Sequence, residues 1–158
     1  MSNAIILAAV KLNRFAPFIY EKSKVVYDLV LCHNDTYEPN YLYDDKDAMF
    51  LIDWEHAGMN YATNDIECIL CRYDWTDEHI ARYLRYYVGH ELTEDEKMFY
   101  YGFIPISAFY WFGWGLYKGG VGDNDSFFFL STYKYLVRFI VQALDSYCLS
   151  THNRGGMG

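Results

Sequence analysis

The chain has 158 residues, enough for one domain or for one lobe of a larger enzyme, and long enough to bury a core. Charged residues are 22% and aromatic residues 20% of the chain, which excludes wholesale disorder. With 13 Lys and Arg against 21 Asp and Glu, the net charge is −8. That balance excludes nucleic acid and anionic membrane surfaces as expected partners, and it is compatible with a cationic ligand or a bound metal.

In chain order, residues 1–4 read as a remnant of cloning, and Ile5 to Phe15 reads as a helix ended by Pro17. Val25 to Cys32 is an apolar run, the end of a helix or a short buried strand. His33 to Asn40 is turn chemistry. Tyr41 to Tyr43 and Met49 to Ile52 read as two strands of a hairpin around the polar turn 44–47. Asn64 is placed to cap a helix from Asp65 to about Tyr73, and Thr76 to cap another that ends at Gly89. Thr93 and Glu96 form a capping box. It opens a stretch, Met98 to Tyr117, of 20 residues without a charge. The length suits a membrane span, but Pro105, three glycines and four tyrosines do not. A buried aromatic-rich helical region, split or kinked at Pro105, is expected, with no membrane span. A loop at 119–123, a helix from Ser126 to Tyr147 and a disordered tail at 150–158 complete the chain. The fold class is therefore α+β, mostly helical.

Cys32, Cys68, Cys71 and Cys148 are too few for a disulfide framework, and no secretory signal opens the chain. Cys68 and Cys71 lack the further ligands of a zinc site and read as reduced core residues. A cytoplasmic location is expected.

The hairpin has a chemical consequence. Asn40 enters its first strand and Asp53 leaves its second, so antiparallel pairing brings both to the open end, next to Asp35. Asp35, Asn40, Asp53 and Glu55 then share one small region, and carboxylates so gathered need a cation. Oxygen donors of this kind suit Mg²⁺, which keeps waters and adds substrate phosphates. His33-x-Asp35-x-x-x-x-Asn40 also has the spacing of a kinase catalytic loop, with a metal-binding Asp expected beyond a hairpin; Asp53 follows Phe50-Leu51-Ile52 there.

Leu31 to Asp35 through Asn40, together with Leu51-Ile52-Asp53-Trp54-Glu55, resembles the choline/ethanolamine kinase family, related to the aminoglycoside phosphotransferases and the protein-kinase-like fold. Asn60-Tyr61 and Asp65-Ile66 continue the likeness, which covers roughly residues 27–147. The resemblance implies the C-terminal lobe of that fold over residues 5–149, with the small hairpin carrying the metal site. It implies Asp35 as catalytic base on an alcohol hydroxyl, Asn40 and Asp53 as ligands of Mg²⁺ on the phosphates of ATP, and Glu55 assisting at the metal. His33 and Asp65 would brace the catalytic loop. Trp111 and Trp114, three residues apart on one helix face, resemble the tryptophan pair of a quaternary-ammonium pocket. Tyr133 is a candidate for a further wall, as are Tyr110, Tyr117, Tyr73 and Trp75.

The 32 residues before His33 contain no glycine, so the Gly-rich loop of a nucleotide lobe is not found there. The chain therefore reads as one lobe, with a missing N-terminal lobe or self-association expected, and with little activity by itself. The implied function is ATP- and Mg²⁺-dependent phosphoryl transfer to the hydroxyl of choline or a related amino alcohol. The alternatives are an aminoglycoside or other small-molecule kinase, and a non-catalytic module that binds a quaternary ammonium.

Overall fold

A computed structural model describes residues 28–120 and 126–154, and positions 16, 17, 19 and 21 before them. The helix expected at Ile5 to Phe15 and most of the loop expected at 119–123 lie outside the described residues. The elements are β1 (Leu29–Cys32), β2 (Tyr41–Tyr43), β3 (Met49–Leu51), β4 (Gly58–Tyr61), α1 (Thr63–Leu70), α2 (Asp77–Val88), α3 (Glu94–Gly120) and α4 (Ser126–Arg154), with single 3₁₀ turns at Glu38–Asn40 and Trp54–His56.

The strands form two antiparallel ribbons, one nested inside the other. β2 pairs with β3 in the register Tyr41↔Leu51, Leu42↔Phe50 and Tyr43↔Met49. Asp44 closes the turn, its carboxylate accepting from the amides of Lys46 and Ala48. β1 pairs with β4, Leu29↔Tyr61 through Cys32↔Gly58. The chain thus leaves β1, builds the hairpin, and returns alongside β1 in β4. The connections 33–40 and 52–57 are thereby brought to one end, the open end of the hairpin, opposite the 44–47 turn.

β1 is a strand, but it is not buried. Leu29 is 54% and Leu31 67% exposed, and only Cys32 is enclosed. The physical reason is that a two-stranded ribbon has no second layer to cover its outer face. Leu42, Met49, Phe50 and Met59 are exposed in the same way.

The core lies among the helices. α1 contributes Ile66 and Leu70, α2 contributes Ile80 and Leu84, α3 contributes Phe99, Phe103, Ile104 and Ala108, and α4 contributes Tyr135, Leu136, Phe139 and Ile140. α2 begins and ends as its sequence predicts: Thr76 Oγ1 accepts from the His79 amide, and Gly89 takes the left-handed conformation (φ 80°) that ends the helix. The capping box of α3 also forms, with Glu96 accepting from the Thr93 amide at 2.8 Å and Thr93 Oγ1 from the Glu96 amide at 3.3 Å.

One local expectation is narrowed and two are corrected. Pro105 does not split α3, which runs for 27 residues with the proline inside it. One amide bond is lost at that turn, while the helix is held on both sides of it by packing against α1 and α4. Asn64 does not cap α1. The helix starts at Thr63 after Ala62, and the Asn64 carboxamide reaches instead to Asn34 Oδ1 at 3.0 Å. α4 continues to Arg154, into the stretch expected to be a tail. No helix among the described residues is long and apolar enough to cross a membrane. Cys32, Cys68 and Cys71 are buried free thiols, and burial pushes Cys68 up to about 11 and Cys71 well above its ordinary value. Such thiols are inert core groups.

Glu67 is the exception inside this core. It is fully buried on α1, and neither carboxylate oxygen has a hydrogen-bond partner among the described residues. Burial raises its pKa well above the ordinary carboxylate value. A carboxyl whose folded-state pKa is raised favours folding fully below its unfolded value, and that contribution is lost as pH rises towards the folded value. Glu67→Met is therefore expected to stabilise the chain by about 1–3 kcal/mol at pH 8, the range for an unsatisfied buried group, and by less at pH 5. Thermal or urea melts at the two pH values check this; a variant less stable than the parent at pH 8 contradicts it.

Candidate active site

The loop between β1 and β2 is held from α1. The Asp65 carboxylate accepts from the amides of His33 at 2.8 Å and Asn34 at 2.6 Å, one bond to each oxygen. The Asp65 carbonyl accepts from the Thr36 hydroxyl. Asn34 takes the left-handed conformation (φ 66°), which Asn tolerates better than other side chains. Its carboxamide repays that strain locally. Nδ2 donates to the His56 carbonyl at 2.9 Å, and Oδ1 accepts from Asn60 and Asn64 at 3.0 Å each.

His33 is buried and spans the site. Its Nδ1 accepts from the Asp35 amide at 3.2 Å, so the ring proton sits on Nε2, which donates to the Ile52 carbonyl at 2.7 Å. The edge of the Trp54 indole packs against the same ring, 4.9 Å between centroids. His33 thus ties the loop of Asp35 to the strand end that carries Asp53.

The open end of the hairpin gathers the residues that pairing predicts. The Asn40 carbonyl accepts from the Ile52 amide at 2.9 Å, which sets Asn40 beside Asp53. The Asn40 carboxamide donates to the Asp35 carbonyl at 2.8 Å and to Asp35 Oδ2 at 3.3 Å. Its own oxygen is therefore the atom left for a cation. Asp53 is exposed and left-handed (φ 65°, ψ 58°). A cleft of about 340 Å³ is lined by Asp35, Asp53, Glu55, Trp111, Trp114 and their neighbours. No three His, Cys, Asp or Glu side chains among the described residues converge as a protein cage for a metal. Mg²⁺ needs fewer, because it keeps waters and takes phosphate oxygens, and the oxygen donors of Asn40, Asp53 and Glu55 are of the hard type it prefers.

One wall of this cleft was not legible beforehand. Arg72 follows the end of α1, and its Nη2 donates to Asp35 Oδ1 at 2.7 Å, with the two side chains 5% and 15% exposed. The guanidinium lies 3.9 Å from the Trp111 ring centroid and 4.4 Å from that of Tyr37. α4 steadies the segment after it: the Trp75 amide donates to the Tyr135 hydroxyl, and Arg138 donates to the Trp75 carbonyl at 2.9 Å. Trp111 is 5% exposed and Trp114 38%, with ring centroids 5.9 Å apart. The two tryptophans share a face, as their spacing predicts. Tyr133 does not join them. It packs on Phe112, 5.7 Å between ring centroids. Phe112 is one residue on from Trp111, about 100° around the helix, so its partners lie off the cleft. Tyr73 and Trp75 are likewise occupied elsewhere, Tyr73 accepting from the Glu38 amide at 3.1 Å and Trp75 packed against Tyr83.

The family model for choline/ethanolamine kinases matches residues 7–138, a span that contains every residue of this cleft. The chain belongs to the choline/ethanolamine kinase family. Among solved structures, it is similar to a choline/ethanolamine kinase family protein from Mesorhizobium loti, at 20% identity and a TM-score of 0.63, over 92% of this chain and 47% of that one. It is similar to a choline kinase from Streptococcus pneumoniae, at 17% identity and a TM-score of 0.69, over 90% of this chain and 49% of that one. It is also similar to an ethanolamine kinase from Plasmodium vivax, at 19% identity and a TM-score of 0.64, over 84% of this chain and 38% of that one. The chain thus spans half or less of the length of each. No curated protein sequence is a significant match. At these identities the solved structures establish a shared fold for this choline/ethanolamine kinase family member.

The brace is directly testable. Hydrogen bonds to a charged acceptor contribute about 1.5–3 kcal/mol each, so Asp65→Ala, which removes two, is expected to destabilise the chain by at least about 3 kcal/mol. Asp65→Asn keeps one acceptor oxygen and is expected to lose less. Equal stability of the Ala variant and the parent in denaturant melts contradicts the bracing role.

Proposed function

We propose that this chain forms the acceptor side of a phosphotransferase that moves the γ-phosphoryl group of ATP to the hydroxyl of a small amino alcohol, the class that includes choline and ethanolamine. The observation that carries this reading is the joining of Asp35, Asn40 and Asp53 across the hairpin end, inside the segment matched by the kinase family. In this reading the substrate hydroxyl enters the cleft beside Asp35. Its oxygen forms a bond to the γ-phosphorus as the bond to the β-phosphate oxygen breaks, and its proton passes to the Asp35 carboxylate. The carboxamide of Asn40 and the guanidinium of Arg72 aim that carboxylate, and His33 and Asp65 fix its loop. Asn40 and Asp53, with Glu55 beside them, would hold Mg²⁺, which offsets the phosphate charge when bound. Positioning and electrostatics of this kind are most of what phosphoryl transfer asks of a protein.

The nucleotide-binding half belongs to the same proposal. It would be supplied by further sequence, as the coverage of the solved relatives supports. The exposed apolar side chains of the two ribbons, Leu29, Leu31, Leu42 and Phe50 among them, are a surface such a half would cover.

The test is made in a protein completed with that half. Asp35→Ala is expected to lower kcat by about 10²–10⁴-fold, the contribution of a general base. Asp53→Ala is expected to abolish the Mg²⁺-dependent rate. Unchanged turnover in either variant rejects the assignment.

A further inference from the structure

A quaternary ammonium has no N–H to donate, so it must be held by aromatic faces and by charge alone. The rings of Tyr37, Trp111 and Trp114 line this cleft, and each already carries a cation of the chain itself. Arg72 lies 3.9 Å over Trp111, and Lys118 Nζ lies 5.0 Å from the Trp114 ring centroid. The Lys118 side chain is long and partly exposed, and it can swing aside. Arg72 cannot do so cheaply. It is 5% exposed, its guanidinium is enclosed between Trp111 and Tyr37, and it is paired with Asp35 at 2.7 Å. Displacing it would break that ion pair and leave the Asp35 carboxylate without its buried partner.

Resting on the phosphotransferase reading, we propose that Arg72 is the specificity-determining residue of the acceptor pocket: its guanidinium takes the place on Trp111 that a trimethylammonium group would need. A quaternary ammonium alcohol then loses the Trp111 face, and the pocket binds it weakly.

The test reads binding rather than turnover, so it stands apart from the fate of the kinase reading. The full chain and its Arg72→Ala and Arg72→Lys variants are titrated calorimetrically with tetramethylammonium, with circular dichroism and thermal melts as the fold control. Arg72→Ala uncovers the Trp111 face and releases the Asp35 charge. It is expected to bind tetramethylammonium at least about tenfold more tightly than the parent, while Arg72→Lys, which keeps a cation there, stays closer to the parent. A parent that binds as tightly as Arg72→Ala, or a folded Arg72→Ala that gains nothing, overturns the proposal. Should Arg72→Ala fail to fold, the parent decides by nuclear magnetic resonance. Saturation transfer from indole protons to the N-methyl protons of tetramethylammonium overturns the proposal, and its absence from the folded parent supports it. Loss of the kinase reading would show differently, as unchanged turnover of Asp35→Ala and Asp53→Ala in the completed enzyme, with the tetramethylammonium result still standing.

Discussion

The carboxylate of Asp65 binds two consecutive backbone amides, those of His33 and Asn34, and the rest of the site depends on that clasp. A left-handed residue between a strand and a turn is a strained place to pass the chain. Here the strain is held by a charged acceptor on one side and by three bonds to the Asn34 carboxamide on the other. The acceptor comes from the first turn of α1, which is anchored in the helical core through Ile66 and Leu70. The positional accuracy of the Asp35 loop is thus borrowed from a packed helix. The ribbons could not provide it, since they have little core of their own.

From that anchor the site divides into two walls. One is acidic: Asp35, Asp53 and Glu55, with the Asn40 carboxamide behind Asp35. The other is aromatic and cationic: Arg72 over Trp111, and Lys118 near Trp114. Asp35 belongs to both, because its two oxygens are engaged by opposite walls, Oδ1 by Arg72 and Oδ2 by Asn40. Trp111 is also shared. Its face carries Arg72, its Nε1 donates to Cys68 Sγ at 3.4 Å, and its edge lines a second cleft of about 360 Å³ with Asn34, Asn60 and Asn64. A side chain with so many neighbours is a structural wall first, and whatever binds beside it meets a surface already composed.

The parts that the amino-acid sequence made legible are the local ones. The hairpin, the Thr76 and Thr93 caps and the Gly89 terminus follow from turn and capping chemistry within a few residues. The meeting of Asn40 and Asp53 follows from hairpin register, one step longer in range. The resemblance to the kinase family supplied the brace between His33 and Asp65, which no local rule contains. Arg72 is not legible in the sequence because its partners are 37 residues back and 39 residues ahead, and a lone arginine after a helix carries no pattern. That Tyr133 packs on Phe112 is illegible for a related reason: residues on different helices share a site only if their rotational phases agree, and phase is fixed by packing. The apolar run at β1 suggested burial because composition reports what a strand needs covered, whether or not the chain carries the cover.

Asp53 shows how narrowly such a position can change over generations. Its backbone is left-handed, which only Gly, Asn and Asp occupy readily, and the metal-holding role proposed for it needs a carboxylate. A step to Asn or Gly keeps the backbone and discards the charge. A step to Glu keeps the charge and strains the backbone. No single replacement satisfies both demands, so under that proposal a lineage that gave up phosphoryl transfer would have two easy exits at this codon, and one that retained it would have none.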